Sequence, residues 1–288
     1  MDEAVRALMA RYTCRTREDY LNALREILQN LALLGLWRAK FFDHAAFYRG
    51  TALRVIHGLD RYSEDLDFSL LHPTPGFSLE AYGEALEREI AGYGFGVTFE
   101  RRGKSRSTGI ESAFLKANTV RELIQVEASE DLLHGLHSGV LLKIKLEVDI
   151  DPPGGFSTET RYLLDPVPFP VRLYSLPDLF AGKLHAALCR RWVSRVKGRD
   201  WYDMVWFAAR HPQVNVSHLE QRMRQSGDWA ESTPLDFDTV IRALTKAVSS
   251  LDINQARTEV APFVRDRGSL DAWSHDFFIH VISRIVPA

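Results

Sequence analysis

The sequence predicts an α+β fold, in which a mixed sheet flanked by helices is followed by a helical C-terminal region. Apolar residues recur at helical spacing over residues 16–36, and apolar and polar residues alternate in "VLLKIKLEVDI", residues 140–150. Helical patterns dominate after Pro170. We therefore expect a core with N-terminal helices over residues 1–170 and a helical domain over residues 171–288.

The elements before the first charged motif are short. Thr16 is a suitable N-cap for the first long helix, and Gly35 is predicted to end it. The segment "FFDHAAFY" predicts a strand that leads into Gly50. Thr51–His57 predicts a short helix, which Gly58 closes.

A second series of elements follows. "DLDFSLL" predicts a strand, residues 78–93 a capped helix, and residues 95–128 a strand-rich stretch. The strand at 140–150 is halted by "DPPGG". Beyond it, "SLPDLFAGKLHAALCRRW" and "GRDWYDMVWFAAR" predict two helices.

Composition narrows the class of protein. The chain has 288 residues, of which 45% are hydrophobic and 26% charged, and a net charge of −2, so no global field points to a nucleic acid. Cys14 and Cys189 are too few for a disulfide framework or a cysteine zinc site. We find no apolar stretch that would span a bilayer and no signal peptide, and we expect a cytoplasmic protein without a membrane partner.

Two carboxylates stand one residue apart in the strand "DLDFSLL". Alternation places Asp65, Asp67 and Ser69 on one face of that strand. Neighbouring carboxylates repel each other unless a cation lies between them, and Mg²⁺ prefers such oxygen ligands. The alternative is an edge strand with a solvated polar face.

The strand at 140–150 offers a third acid. Lys143, Lys145, Glu147 and Asp149 share one of its faces. If this strand pairs with the first, either Glu147 or Asp149 approaches Asp65 and Asp67, and the sequence leaves the choice open. The alternative is a solvated face on which lysines and acids pair.

A Gly-Thr step precedes the Asp-x-Asp pair. Gly50 permits close backbone approach to a ligand, and Thr51 stands where the next helix is predicted to begin. A helix N-terminus favours phosphate through its N–H groups and its dipole. The order Gly-Thr, helix, strand, Asp-x-Asp therefore predicts a triphosphate site beside a metal site.

These motifs together resemble the AbiEii/AbiGii (MenT-like) toxin family of DNA polymerase β-like nucleotidyltransferases. The resemblance covers residues 40–210 and rests on "GTALRVIHGLDRYSEDLDFSL", on "KIKLEVD", on Lys183 in "LPDLFAGKLHAAL", and on Arg199, Asp200 and Asp203 in "KGRDWYDMVWF". It implies a polymerase β-like nucleotidyltransferase core and an enzyme of the NTP:RNA nucleotidyltransferase class.

The resemblance also implies a specific activity and partners. The protein would move NMP from an NTP to an acceptor hydroxyl, at the 3′ end of tRNA, as the toxin of a toxin-antitoxin (abortive infection) pair with a cognate antitoxin. Two Mg²⁺ ions, or Mn²⁺ in their place, would serve as cofactor. The alternative is a catalytically silent module on the same fold that binds nucleic acid or the antitoxin. A phosphatase or a sugar transferase matches the spacing of the motifs poorly.

The site residues implied are these. The metal ligands are Asp65, Asp67 and Glu147; the nucleotide-binding residues are Gly50, Thr51, Ser63 and Lys183; and the catalytic set is Asp65, Asp67, Glu147, Asp149, Lys183, Asp200 and Asp203.

Lys183 and the two later acids also stand out on physical grounds. Lys183 falls on the apolar stripe of its predicted helix, where an ammonium is costly unless it meets anions. Asp200 and Asp203 share a helical face and would receive Lys183 or a substrate group. The alternatives are a lysine that reaches solvent at the margin of the stripe and acids that complement a helix N-terminus, with a local Arg199–Asp203 pair.

Two basic clusters predict a nucleic-acid acceptor, because Lys and Arg neutralise phosphates. The residues are Arg190, Arg191, Arg195, Lys197 and Arg199 in one cluster and Arg101, Arg102 and Lys104 in the other, with Trp192 and Trp201 as candidate stacking partners. The alternative for Arg190 and Arg191 is that they complement a helix C-terminus.

Overall fold

The computed structural model describes residues 3–101, 109–117, 142–190 and 196–288. It confirms the α+β class, with a seven-stranded mixed sheet and flanking helices. Within the described residues the chain forms two compact units: the first comprises residues 1–56, 64–152 and 160–173, and the second comprises residues 57–63, 153–159 and 174–288. Two short segments that precede residue 170, residues 57–63 and 153–159, thus belong to the same unit as the C-terminal helices. A single domain boundary in the sequence cannot describe this arrangement.

The first unit carries the large sheet. Its helices are α1 (Glu3–Met9), α2 (Arg17–Arg38), α3 (Arg49–His57) and α4 (Glu80–Ala91), and a 3₁₀ turn spans Phe41–Asp43. The strands are β1 (Ala45–Tyr48), β2 (Leu66–Leu70), β3 (Val97–Arg101), β4 (Ile110–Ala117), β5 (Leu142–Asp149), β6 (Thr158–Leu163) and β7 (Phe169–Tyr174), in the order β3-β4-β5-β2-β1-β7-β6.

The central strand β2 is buried along its whole length. It pairs antiparallel with β1 and parallel with β5. Phe68 on β2 packs against Phe41 and Phe47, with ring centroids 4.9 and 5.3 Å apart, inside the main apolar core. The polar side chains of β2 are therefore held in a rigid, largely dehydrated setting, unlike those of an edge strand.

Helix α2 begins where the sequence predicts it, but it ends later than predicted. Thr16 and Asp19 form a reciprocal capping box. The helix does not stop at Gly35 but continues to Arg38, because this glycine is buried where α2 meets α4. A Cβ at Gly35 would lie 3.2 Å from the Cβ of Glu89, so the glycine permits close helix packing rather than a turn.

The second unit is mainly helical, as expected. It contains α5 (Leu176–Cys189), α6 (Gly198–Arg210), α7 (Val216–Ser226), α8 (Phe237–Ser249), α9 (Ile253–Val260) and α10 (His275–Ile282), with 3₁₀ turns at Ala261–Phe263 and Arg267–Leu270. A two-stranded parallel pair joins β8 (Gln213–Val214) to β9 (Val286–Pro287). Among the described residues, every helix is too short or too polar to traverse a bilayer.

Close packing at the start of α6 supports a first prediction. A Cβ at Gly198 would lie 1.9 Å from the carbonyl oxygen of Ala256 on α9, a backbone atom that cannot rotate away. We expect Gly198→Ala to lower the free energy of unfolding by at least about 2 kcal/mol, measured by urea denaturation. Gly154→Ala is the matched control, because its Cβ would meet no atom within 4 Å. Equal stability of the two variants would contradict this packing.

A buried histidine supports a prediction about pH. Burial, with a contribution from Arg222, lowers the pKa of His218 to about 4. The ring lies against Phe156 and Tyr174, and its Nδ1 is 2.9 Å from the carbonyl oxygen of Gly154. His218 is therefore neutral in the folded protein. The stabilisation that results from its lowered pKa is complete above the pKa of the unfolded chain, about 6.5, and is lost as the pH falls towards 4.

Because of His218, we expect the free energy of unfolding to fall by about 2 kcal/mol when the pH is lowered from 7 to 5. His218→Asn keeps a donor for the Gly154 carbonyl but does not titrate, so the loss should be smaller in this variant by about that amount. Urea denaturation of both proteins at the two pH values measures the difference. Burial also lowers the pKa of His185 to about 4, and because His218 is only the last of several contributions to that shift, the difference between the two proteins reports mainly on His218. An identical pH dependence would show that His218 is protonated in the fold.

Candidate active site

The parallel pairing of β2 with β5 brings two acids side by side. Asp67 is in register with Glu147, and Ser69 is in register with Asp149. The carboxylate of Asp149 accepts a hydrogen bond from the N–H of Asp151 at 3.1 Å and so caps the end of its strand. The register therefore favours Glu147 over Asp149 as the acid beside Asp67.

Asp65 lies one residue before β2, not within it. Its carbonyl oxygen accepts the hydroxyl of Thr51, which ties the segment to α3. Burial, followed by repulsion from Asp67 and Glu64, raises the pKa of Asp65 to about 6, although Lys145 opposes the rise. The two carboxylates of the Asp-x-Asp pair are thus close enough to feel each other's charge, as the sequence predicts.

Two cations lie among these acids. Nη1 of Arg49 is 2.8 Å from Oδ1 of Asp67 and 3.3 Å from Oε2 of Glu147. Nζ of Lys145 donates to the other oxygen of Glu147. Burial favours the neutral acid at Glu147, but the hydrogen bond and charge of Lys145 and the charge of Arg49 lower its pKa.

Arg49 is a site residue that sequence reasoning missed. It is the first residue of α3 and has φ +65°, a conformation that non-glycine residues rarely adopt. Its guanidinium also lies over the ring of Tyr48, 4.9 Å from the centroid. The signal available in the sequence was a basic residue directly before Gly50, at the predicted phosphate site.

The Gly50-Thr51 step has a different geometry from the one expected. Both residues are buried in the first turn of α3. Because the Thr51 hydroxyl donates to the Asp65 carbonyl, it supports the chain that carries the acids. The backbone N–H groups of a first helical turn lack intrahelical acceptors, so they are the feature of this step that suits a phosphate. Ser63 is half-buried in the 57–63 segment, and its nucleotide-binding role stays a prediction.

The chemistry of the donor set suits a hard divalent cation, although the carboxylate oxygens of its three acids do not converge to within 4.8 Å of one another. Asp65, Asp67 and Glu147 supply carboxylate oxygens, the ligands that Mg²⁺ takes in proteins. Asp67 is only 8% exposed, so water screens its charge weakly. Burial and the repulsion of Asp67 and Glu64 raise the pKa of Asp65, and an opposite charge beside it would counteract both effects.

A second charged cluster lies within the second unit. Nζ of Lys183 is 2.6 Å from Oδ2 of Asp203 and 3.8 Å from Oδ1 of Asp200. Arg61 binds both oxygens of Asp203, at 2.6 and 2.7 Å. Burial disfavours the charged form of Asp203, but Arg61 and Lys183 lower its pKa. Lys183 does meet anions on its buried stripe, and Arg61 is a second residue that sequence reasoning missed.

Three of the four described members of the basic clusters are held by acids. Arg190 lies 3.1 Å from Asp200, and Arg101 lies 3.0 Å from Glu80. Arg199 contacts Glu259 and not Asp203, and its guanidinium lies 4.2 Å from the ring centroid of Phe263. Burial lowers the pKa of Lys197, which is only half-exposed.

The aromatic residue proposed to stack on a base is not available for it. Trp201 is buried and packs edge-on against Phe278, with centroids 5.5 Å apart. The remaining members of the basic clusters and their aromatic neighbour lie outside the described residues: Arg102, Lys104, Arg191, Trp192 and Arg195. Their role in binding nucleic acid stays a prediction.

Comparison with known proteins gives the family. The profile of the nucleotidyl transferase AbiEii toxins of type IV toxin-antitoxin systems matches residues 31–280. The chain belongs to this AbiEii family. That family comprises nucleotidyl transferases of toxin-antitoxin systems, and it implies an antitoxin partner. A search of curated proteins found no significant match.

Two solved structures are similar to this AbiEii chain. The crystal structure of JHP933 from Helicobacter pylori is similar with a TM-score of 0.50 and 16% identity, covering 91% of this chain and 88% of that one. The crystal structure of a "putative nucleotidyltransferase" from H. pylori has a TM-score of 0.47 and 15% identity, covering 90% and 89% of the two chains. At these identities the first likeness shows the fold alone.

The Asp203 cluster supports a prediction about stability. Asp203→Ala leaves Arg61 and Lys183 buried without their shared carboxylate, and we expect a loss of about 3–5 kcal/mol in unfolding free energy. Asp238→Ala, an exposed acid on α8, is the control and should change stability by about 0.5 kcal/mol or less. Urea denaturation followed by circular dichroism measures both. Similar midpoints for the two variants would refute the positioning role of Asp203.

Proposed function

We propose that this AbiEii family member is a Mg²⁺-dependent nucleotidyltransferase that moves NMP from an NTP to an acceptor hydroxyl at the 3′ end of tRNA. The observation that carries the proposal is the pairing of Asp67 with Glu147 across two neighbouring parallel strands, with Asp65 directly before β2 and the first turn of α3 joined to the same segment. The phosphate site that we propose and the carboxylate oxygens would thus share one local structure.

The residues of the first unit divide the work. Asp65, Asp67 and Glu147 would hold two Mg²⁺ ions, with Mn²⁺ as a substitute. The bound metal would lower the pKa of the acceptor hydroxyl and neutralise the leaving pyrophosphate. Gly50 and the N–H groups of α3 would orient the triphosphate, which supplies the positioning on which phosphoryl-type transfer depends.

In the second unit we assign phosphate binding to Lys183. Its ammonium is 2.6 Å from Asp203, so its position is fixed before any ligand arrives. Asp203 is fully buried and acts by positioning, whereas Asp200, held by both Lys183 and Arg190, neutralises part of their charge. A fixed cation loses little conformational freedom when a phosphate replaces one of its partners.

RNA as acceptor and tRNA as its source rest on the resemblance to toxins that modify the 3′ end of tRNA. The toxin assignment leads to a cellular expectation: expression without the antitoxin slows growth. A matched strain that expresses Asp67→Asn should grow normally, since the substitution removes a metal ligand.

The central experiment tests class, nucleotide and acceptor together. Purified protein is incubated with Mg²⁺, each α-labelled NTP in turn, and total cellular RNA. We expect one NTP to label a discrete RNA band of tRNA size, and Asp67→Asn to reduce labelling about 100-fold or more, because removal of one charge-stabilising group has effects of this order.

Asp43→Asn is the matched control, because Asp43 is an exposed acid of the same unit, and it should keep full labelling. Circular dichroism and thermal melting confirm that each variant is folded. Label in protein instead of RNA would indicate a different acceptor. No label with any NTP would return the silent binding module as the better hypothesis.

A further inference from the structure

The guanidinium of Arg49 occupies the space between the two paired acids. Its Nη1 atom is 2.8 Å from Asp67 and 3.3 Å from Glu147. Asp67 is buried and Glu147 half-buried, so the contacts are poorly screened by water. The charge of Arg49 therefore compensates the same oxygens to which we assign metal binding.

A divalent cation and this guanidinium compete for the same lone pairs. Arginine does not lose its proton in proteins, so Arg49 can free the oxygens only by moving its side chain. Lys145 contacts the other oxygen of Glu147 and can stay there when Arg49 moves away. Metal binding at Asp67 thus requires Arg49 to find another anionic partner.

The position of Arg49 in the fold suggests which partner that is. It is the first residue of α3 and directly precedes Gly50, where the triphosphate would lie. A guanidinium binds phosphate with two parallel hydrogen bonds, as it does a carboxylate. A rotation of the side chain alone would carry the charge from the acids to a ligand at the start of its own helix.

We propose that Arg49 is an exchangeable internal counter-ion, which holds Asp67 and Glu147 together without nucleotide and binds the triphosphate when metal and NTP enter. This inference rests on the proposed function, since it uses the same metal and phosphate positions. Arg49 makes metal binding depend on nucleotide: the free protein binds divalent cations weakly, and the NTP removes the competitor.

The test measures binding, without turnover. Mn²⁺ is titrated into the protein without nucleotide and followed by electron paramagnetic resonance. We expect Arg49→Gly, which suits the positive φ, to bind Mn²⁺ about tenfold or more tightly than the natural protein, since close charge pairs couple by this order. Lys143→Ala is the control, because this exposed lysine lies on the same face of β5 without contacting the acids.

The second measurement concerns nucleotide affinity, which should fall in Arg49→Gly although its Mn²⁺ affinity rises. Calorimetry with non-hydrolysable α,β-imido NTP analogues and Mg²⁺ should show about tenfold weaker binding to Arg49→Gly, because a charged hydrogen bond to phosphate is lost. Arg49→Gln keeps a hydrogen-bond donor without the charge. Like Arg49→Gly, it should bind Mn²⁺ more tightly and the analogue more weakly, and it replaces the glycine variant if that variant does not fold. Unchanged or weaker Mn²⁺ binding refutes the counter-ion, and unchanged analogue binding refutes the transfer to phosphate.

Failure of the inference is distinguishable from failure of the proposed function. Asp67→Asn identifies the site, because it should abolish the spectral signal of protein-bound Mn²⁺ if the metal binds at these acids. A signal lost in Asp67→Asn but unaltered in Arg49→Gly would overturn the role of Arg49 alone. A signal that Asp67→Asn leaves intact would overturn the metal site itself.

Discussion

The parallel register between β2 and β5 is the constraint on which the site depends. It sets Asp67 opposite Glu147, although the two residues are far apart in sequence. A slip of one residue would turn every side chain of β5 to the other face and bury its acids among the apolar residues of the core. The alternation of buried and accessible residues along β5 excludes such a slip, because it would turn Ile144, Leu146 and Val148 out of the core.

The second unit solves a related problem, how to hold a lysine within a packed helical layer. Asp203 is fully buried and shared between Arg61 and Lys183, so no charge of the trio is left without a partner. Such buried groups contribute little net stability but are costly to break, and they therefore fix side-chain positions. Gly198 lets α6 approach α9 closely and so sets the helix that carries both acids.

Much of this could be predicted from local sequence. The capping box of α2, the alternation of β5 and the short helix closed by Gly58 all depend on neighbouring residues, and each is found where expected. Gly35 was misjudged because glycine serves both helix ends and close helix packing, and only the tertiary contact distinguishes the two. Arg61 escaped notice because its partner Asp203 lies 142 residues away, and the link from Arg49 to Glu147 spans 98 residues, so only its place before Gly50 could have indicated it.

The balance of charge within the first unit explains which acid most needs a further cation. Arg49 contacts both Asp67 and Glu147, and Lys145 contacts Glu147, so the pKa of Glu147 falls. Asp65 feels Lys145 only at longer range, and burial and repulsion raise its pKa to about 6. Burial disfavours the charged form of this carboxylate, and a nearby opposite charge favours it. Of the three acids, Asp65 is thus the one whose charge the described cations compensate least.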